Sequence, residues 1–115
     1  MKTLFLTLLF FTAVLVSAVA QRGGSPEEKA TAFTNEMKKE LNLSDAQYDQ
    51  ALDINLAFAN EAQGLRSMSR DERKPAFMRL RTQRNEQMRE ILDDEQFKGY
   101  VELEQERMER IESRL

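Results

Sequence analysis

Beyond residue 20, apolar side chains recur at helical spacing, and nowhere do they alternate with polar ones for a useful length. Ala30, Phe33, Met37 and Leu41 make a first stripe, which Asn42 ends. Tyr48, Ala51, Leu52, Asn55, Phe58, Ala59, Ala62 and Leu65 make a second, closed by Gly64 and the Ser67-Met68-Ser69 stretch. Phe77, Leu80, Met88 and Ile91 make a third, interrupted by Arg84. Phe97, Tyr100, Val101, Met108, Ile111 and Leu115 make a fourth. No Asn-Gly or Asp-Gly hairpin signal is present. The pattern predicts an all-α chain of four helices, with residues 26–115 as one helical domain.

The helix starts are written in capping chemistry. Ser25-Pro26-Glu27-Glu28 supplies a Ser cap, a proline at the first helical position and a Glu three residues after the cap. Ser69 or Asp71 opens the third helix, where Pro75 is tolerable only near the first turn. The second and fourth helices open with two copies of one pattern, 49 residues apart: Leu43-Ser44-Asp45-Ala46-Gln47-Tyr48 and Leu92-Asp93-Asp94-Glu95-Gln96-Phe97. Ser44 or Asp93 can accept from the free N–H groups of the first turn, and Gln47 or Gln96 can reach back to the cap's own N–H. Leu43 with Tyr48, and Leu92 with Phe97, hold the positions of a hydrophobic staple.

The first twenty residues read as an address. Lys2 precedes an apolar run, Leu4 to Val16, broken only by Thr7 and Thr12, and Ala18-Val19-Ala20 fits a cleavage site before Gln21. The run is short for a membrane span of roughly 20 residues. The expectation is a cleaved signal peptide at 1–20, a flexible leader at 21–25, a periplasmic location and no stable membrane anchor.

Charge changes the picture along the chain more than in total. The net charge is −3, but residues 66–90 carry 8 basic and 4 acidic side chains, while the stretches 21–65 and 91–115 each carry 4 basic and 8 acidic ones. Such a balance does not suit nucleic acid. In the basic stretch Lys74, Met78, Arg81, Asn85 and Arg89 share one strip of the third helix, with Arg84 and Met88 at its border. Two readings stand: a solvated face, or a binding surface where Arg stems and Met side chains give adaptable contact. The second helix is apolar around most of its circumference, through Ile54, Leu56, Ala57, Phe58 and Ala59. That segment is either part of a thick core or a dimer or client patch. Gly99 either weakens the fourth helix or permits a close backbone approach.

The two L-[ST]-x-x-Q-like boxes in a small helical chain with an export signal resemble the Spy/CpxP family of periplasmic chaperones and stress sensors, whose hallmark is a doubled L-T-x-x-Q motif. Both boxes keep the Leu and the Gln; the second position is Ser44 in one and Asp93 in the other. The resemblance runs from about Thr34 to Arg110. It implies a thin, curved hairpin bundle that pairs as an antiparallel, cradle-shaped homodimer. It also implies an ATP-independent chaperone that holds unfolded or misfolded envelope proteins. On that reading Lys74, Met78, Arg81, Arg84, Met88 and Arg89 meet the client, while Ile54, Leu56 and Phe58 form a dimer or client patch. The alternatives are a regulatory protein that binds an envelope stress sensor domain, a metal-sensing relative and a purely structural bundle.

Enzyme chemistry is not expected. The chain has no His and no Cys, hence no imidazole base, thiol nucleophile or disulfide. Asp93, Asp94 and Glu95 sit where a helix start favours negative charge, which explains them without a metal. No Gly-rich phosphate loop is present, so no cofactor is expected.

Overall fold

The computed structural model describes residues 24–112, and side chains as far as Arg110. The expected signal peptide at 1–20, residues 21–23 of the leader, the side chain of Ile111 and all of Leu115 lie outside the described residues. Four α-helices follow one another: α1 (Pro26–Leu41), α2 (Asp45–Gly64), α3 (Arg70–Ile91) and α4 (Asp94–Glu112). A short 3₁₀ turn, Leu65–Ser67, follows α2. Among the described residues there is no strand.

Each boundary has its chemical cause. Ser25 is extended, and its Oγ accepts the Glu28 N–H at 3.1 Å. Asn42 stops α1 by taking the left-handed conformation (φ 54°, ψ 51°), which Asn enters more readily than most residues. Ser69 caps α3, its Oγ 3.4 Å from the Glu72 nitrogen. Both predicted boxes form: Ser44 and Gln47 exchange bonds of 3.0 and 3.1 Å, and Asp93 and Gln96 exchange bonds of 3.1 and 2.7 Å. Pro75 departs from expectation. It sits at the sixth position of α3, past the first turn, on the exposed side. Its ring lacks the N–H that would bond the Asp71 carbonyl, so the ladder of α3 is one bond short there.

α1 packs along α2, and α2 along α3, while α4 lies mainly on α1 and touches α3 less. The core gathers Phe33, Met37, Leu43, Ala51, Met88, Leu92, Tyr100 and Leu103, so both box leucines are inside it. Gly99 belongs to a close approach, since a Cβ there would collide with Leu41 Cδ2. α1 is 16 residues long and α2 is 20, spans of about 24 and 30 Å at the helical rise. The core lies at the box end of the molecule. From Leu56 through Leu80, the far half of the α2–α3 hairpin, Ala76 alone is fully buried.

Candidate functional site

The two boxes meet. Gln47 Nε2 donates to Gln96 Oε1 at 2.8 Å, and Gln96 Nε2 donates to Gln47 Oε1 at 3.1 Å. Each amide also donates to the final carbonyl of a helix, Gln47 to Ile91 of α3 at 2.9 Å and Gln96 to Leu41 of α1 at 3.3 Å. With the cap N–H groups already accepted, each glutamine uses both donors and both acceptor sites of its amide. The boxes are therefore caps for their own helices and a clasp between the α1–α2 turn and the α3–α4 turn. Sequence reading saw the first role and not the second.

The expected basic strip on α3 divides in two. Lys74 and Met78 are exposed, Met78 at 47 % of its full surface. Arg81 Nε reaches Glu104 of α4 at 3.1 and 3.3 Å, and its Nη2 lies 3.0 Å from Glu104 Oε2. Asn85 accepts the Tyr100 hydroxyl at 2.7 Å. Arg89 is exposed, its guanidinium 5.0 Å from the Phe97 ring centroid. Met88 and Arg84 are corrected: Met88 is wholly buried and Arg84 is 4 % exposed, so neither stands on an open surface. Three helices enclose the middle of the strip: α4 meets Arg81 through Glu104 and Asn85 through Tyr100, and Phe58 of α2 and Phe33 of α1 lie against Arg84, while Lys74, Met78 and Arg89 stay open.

Arg84 sits among aromatic rings and charges. Its guanidinium carbon is 3.7 Å from the Phe58 ring centroid and 5.6 Å from that of Phe33. Its Nη2 is 3.6 Å from Glu104 Oε2. Burial pulls the Arg84 pKa below its ordinary value, and the nearby Tyr100 and Glu104 oppose that shift. Tyr100, wholly buried, has its phenol pushed up to about 12, chiefly by desolvation and against the pull of Arg84. Arg107 shows the same downward direction through burial, offset by Glu36 at 3.9 Å. Glu104 escaped the sequence reading. The signal was there: Phe97, Val101, Glu104 and Met108 fall at spacings of 4, 3 and 4, which puts one carboxylate on the apolar stripe of α4, as Arg84 puts one cation on that of α3.

The patch on α2 is mixed. Ile54 packs against the core. Phe58 is half-buried, bound to Arg84 and 5.7 Å from the Phe77 centroid. Leu56 is half-buried and Ala57 exposed, so the apolar circumference of α2 is only partly covered. Together with Leu65, Met68, Phe77, Met78 and Leu80, all half-buried or exposed, it forms an apolar arm rimmed by Arg66, Arg70, Arg73, Lys74 and Arg79. Among the described residues no cluster of three or more Asp or Glu could hold a metal ion, and no helix is long and apolar enough to cross a membrane.

A family model described as a domain of unknown function, DUF4890, matches residues 17–100, and the chain belongs to that family. No curated protein and no solved structure matches the chain.

Proposed function

We propose that this member of the DUF4890 family is an ATP-independent chaperone of the periplasm, which holds unfolded or misfolded proteins on the arm formed by the far halves of α2 and α3. The observation that carries this reading is the arm itself. It presents Phe77, Met78, Leu80 and Met68 at least partly to water, beside a run of exposed cations. Such a surface attracts acidic segments over distance and then offers soft apolar contact to many sequences. The resemblance of the two boxes to the Spy/CpxP family, and the export signal read at residues 1–20, support the same assignment. A second copy completes the cradle, with Leu56 and Ala57 on the uncovered side of α2 as the residues that meet it.

The test is aggregation of several unrelated, chemically unfolded clients in the absence of nucleotide. Suppression of all of them is the expected outcome. Saturable binding to one sensor domain without suppression would overturn it. The Arg70→Gln, Lys74→Gln double variant isolates the arm, because both side chains are exposed and such substitutions change stability by under about 0.5 kcal/mol each. Client association should slow, and its salt dependence should flatten, since exposed charges are screened within about 8 Å at physiological ionic strength.

A further inference from the structure

Met68 and Met78 stand open to water at 38 % and 47 % of their full surface, both on the arm. Met37 and Met88 are sealed in the core, and Met108 is half-buried. The chain has no Cys and no Trp, so its thioethers are the softest groups a peroxide can meet. Susceptibility follows exposure, which puts the two arm methionines first. They are also the arm's most exposed large apolar side chains, beside the half-buried Leu65, Phe77 and Leu80.

Met78 has a cation built in beside its sulfur. Arg81 Nη1 lies 3.6 Å from Met78 Sδ, one turn back along α3. The rest of that guanidinium is tied down. Its Nε lies 3.1 and 3.3 Å from the two oxygens of Glu104, and its Nη2 lies 3.0 Å from Oε2. Glu104 is 3 % exposed, so the ion pair is anchored on α4 and Nη1 is held toward Met78. A thioether sulfur is a weak acceptor. A sulfoxide oxygen is a far better one, and the guanidinium N–H gives it a charge-assisted bond without releasing Glu104. Arg81 therefore offers more to the oxidised side chain than to the reduced one.

We propose that Met78 is a reversible oxidation site that weakens the arm's grip, with Nη1–H of Arg81 as the partner of the sulfoxide oxygen. The oxidant is a peroxide. A lone pair of Sδ attacks one oxygen of hydrogen peroxide, an S–O bond forms and the O–O bond breaks. The proton of the transferred oxygen passes to the leaving hydroxide, which departs as water. The sulfur gives up two electrons and the peroxide gains them. A methionine sulfoxide reductase reverses the step, its thiol pair becoming a disulfide as the oxygen leaves in water. The effect on holding rests on the client-holding reading above. Oxidation makes an apolar contact polar, and a client segment that covers it must strip water from the sulfoxide. The fold is spared, because Met78 lies outside the core.

The test treats purified wild type, Met68→Leu and Met78→Leu with hydrogen peroxide. Peptide mass spectrometry maps the sulfoxides over time, NMR follows the guanidinium N–H resonances of Arg81, and client aggregation measures holding. In Met68→Leu, Met78 should oxidise well before Met37 and Met88, and the Arg81 resonances should move as it does. Affinity for an unfolded client should fall about tenfold, the worth of desolvating one polar group. Methionine sulfoxide reductases of both epimer specificities, with a dithiol, should restore resonance and affinity together. Met78→Leu should hold clients like the untreated wild type and keep doing so after peroxide, with Arg81 unmoved. Oxidation of Met78 no sooner than Met88, an Arg81 signal that stays still while Met78 oxidises, or unchanged holding by the oxidised protein would overturn the proposal. Untreated protein that protects no client would sink the chaperone reading instead. The sulfoxide map and the Arg81 resonances would still decide whether Met78 is the oxidation site, so the two failures are distinguishable.

Discussion

Gln47 and Gln96, 49 residues apart in the chain, hold each other by two amide hydrogen bonds of 2.8 and 3.1 Å. This clasp reverses an order that capping chemistry alone would give. A glutamine in an isolated capping box is the lesser partner, and its loss would matter less than the loss of Ser44 or Asp93. Here the loss of either glutamine also strands the other amide and a helix-end carbonyl. Gln47→Ala and Gln96→Ala should each cost about 1–3 kcal/mol, against roughly 0.5–2 for Ser44→Ala. A double-mutant cycle by urea unfolding should give a coupling of about 0.5–3 kcal/mol. Strict additivity would dismiss the clasp.

The Arg81–Glu104–Arg84 cluster should respond unequally to the removal of its members. Glu104→Ala leaves two cations, one of them buried, without a carboxylate and should cost about 3–5 kcal/mol. Arg84→Met keeps Arg81 on Glu104 and replaces a desolvated charge with an apolar chain. It should be near neutral or stabilising, within about 1–2 kcal/mol of wild type. Denaturant melts of the two variants check the order, and a costlier Arg84→Met would sink the argument.

Thr34 and Asn55 are buried polar partners between α1 and α2. Thr34 donates to the Ala30 carbonyl at 2.7 Å, and Asn55 Nδ2 donates to the Thr34 hydroxyl at 2.9 Å. Asn55 Oδ1 has no partner. Thr34→Val should cost about 1–3 kcal/mol, because it leaves the Asn55 amide only the Met37 sulfur, a weak acceptor at 3.5 Å. Asn55→Leu on top of it should recover much of that loss, because both polar groups are then gone. A double variant as unstable as the sum of the singles would show that packing, not polarity, sets the value.

Tyr100 makes stability depend on alkaline pH. Its pKa is raised to about 12 in the folded protein, mainly by burial, against about 10 when unfolded. The unfolded chain therefore loses the phenolic proton first. The stabilisation is complete below about pH 10 and is lost as pH rises toward 12, about 2–3 kcal/mol in all. Urea unfolding of wild type and Tyr100→Phe across that window measures it. The variant should lose less stability than wild type, and parallel curves would refute the assignment.

The sequence by itself determined the local structure. Ser25, Ser44, Ser69 and Asp93 mark the helix starts because their cap bonds run to residues three apart, a distance visible in the chain, and Asn42 marks the end of α1 by its own left-handed backbone. The apolar stripes named most of the core, including Phe33, Met37, Ala51 and Tyr100, because helical periodicity alone decides which side chains share a face. Only the tertiary structure decided which faces meet. The α3 strip reads as continuous from Lys74 to Arg89, yet Glu104 of α4 draws in Arg81, Phe58 of α2 and Phe33 of α1 lie against Arg84, and Met88 joins the core, while both ends of the strip stay exposed. The pairing of Gln47 with Gln96 was hidden for the same reason. Each glutamine's spacing from its own cap accounts for its local bonds, and the bonds between the boxes exist only once the α1–α2 turn and the α3–α4 turn, far apart in sequence, are brought together.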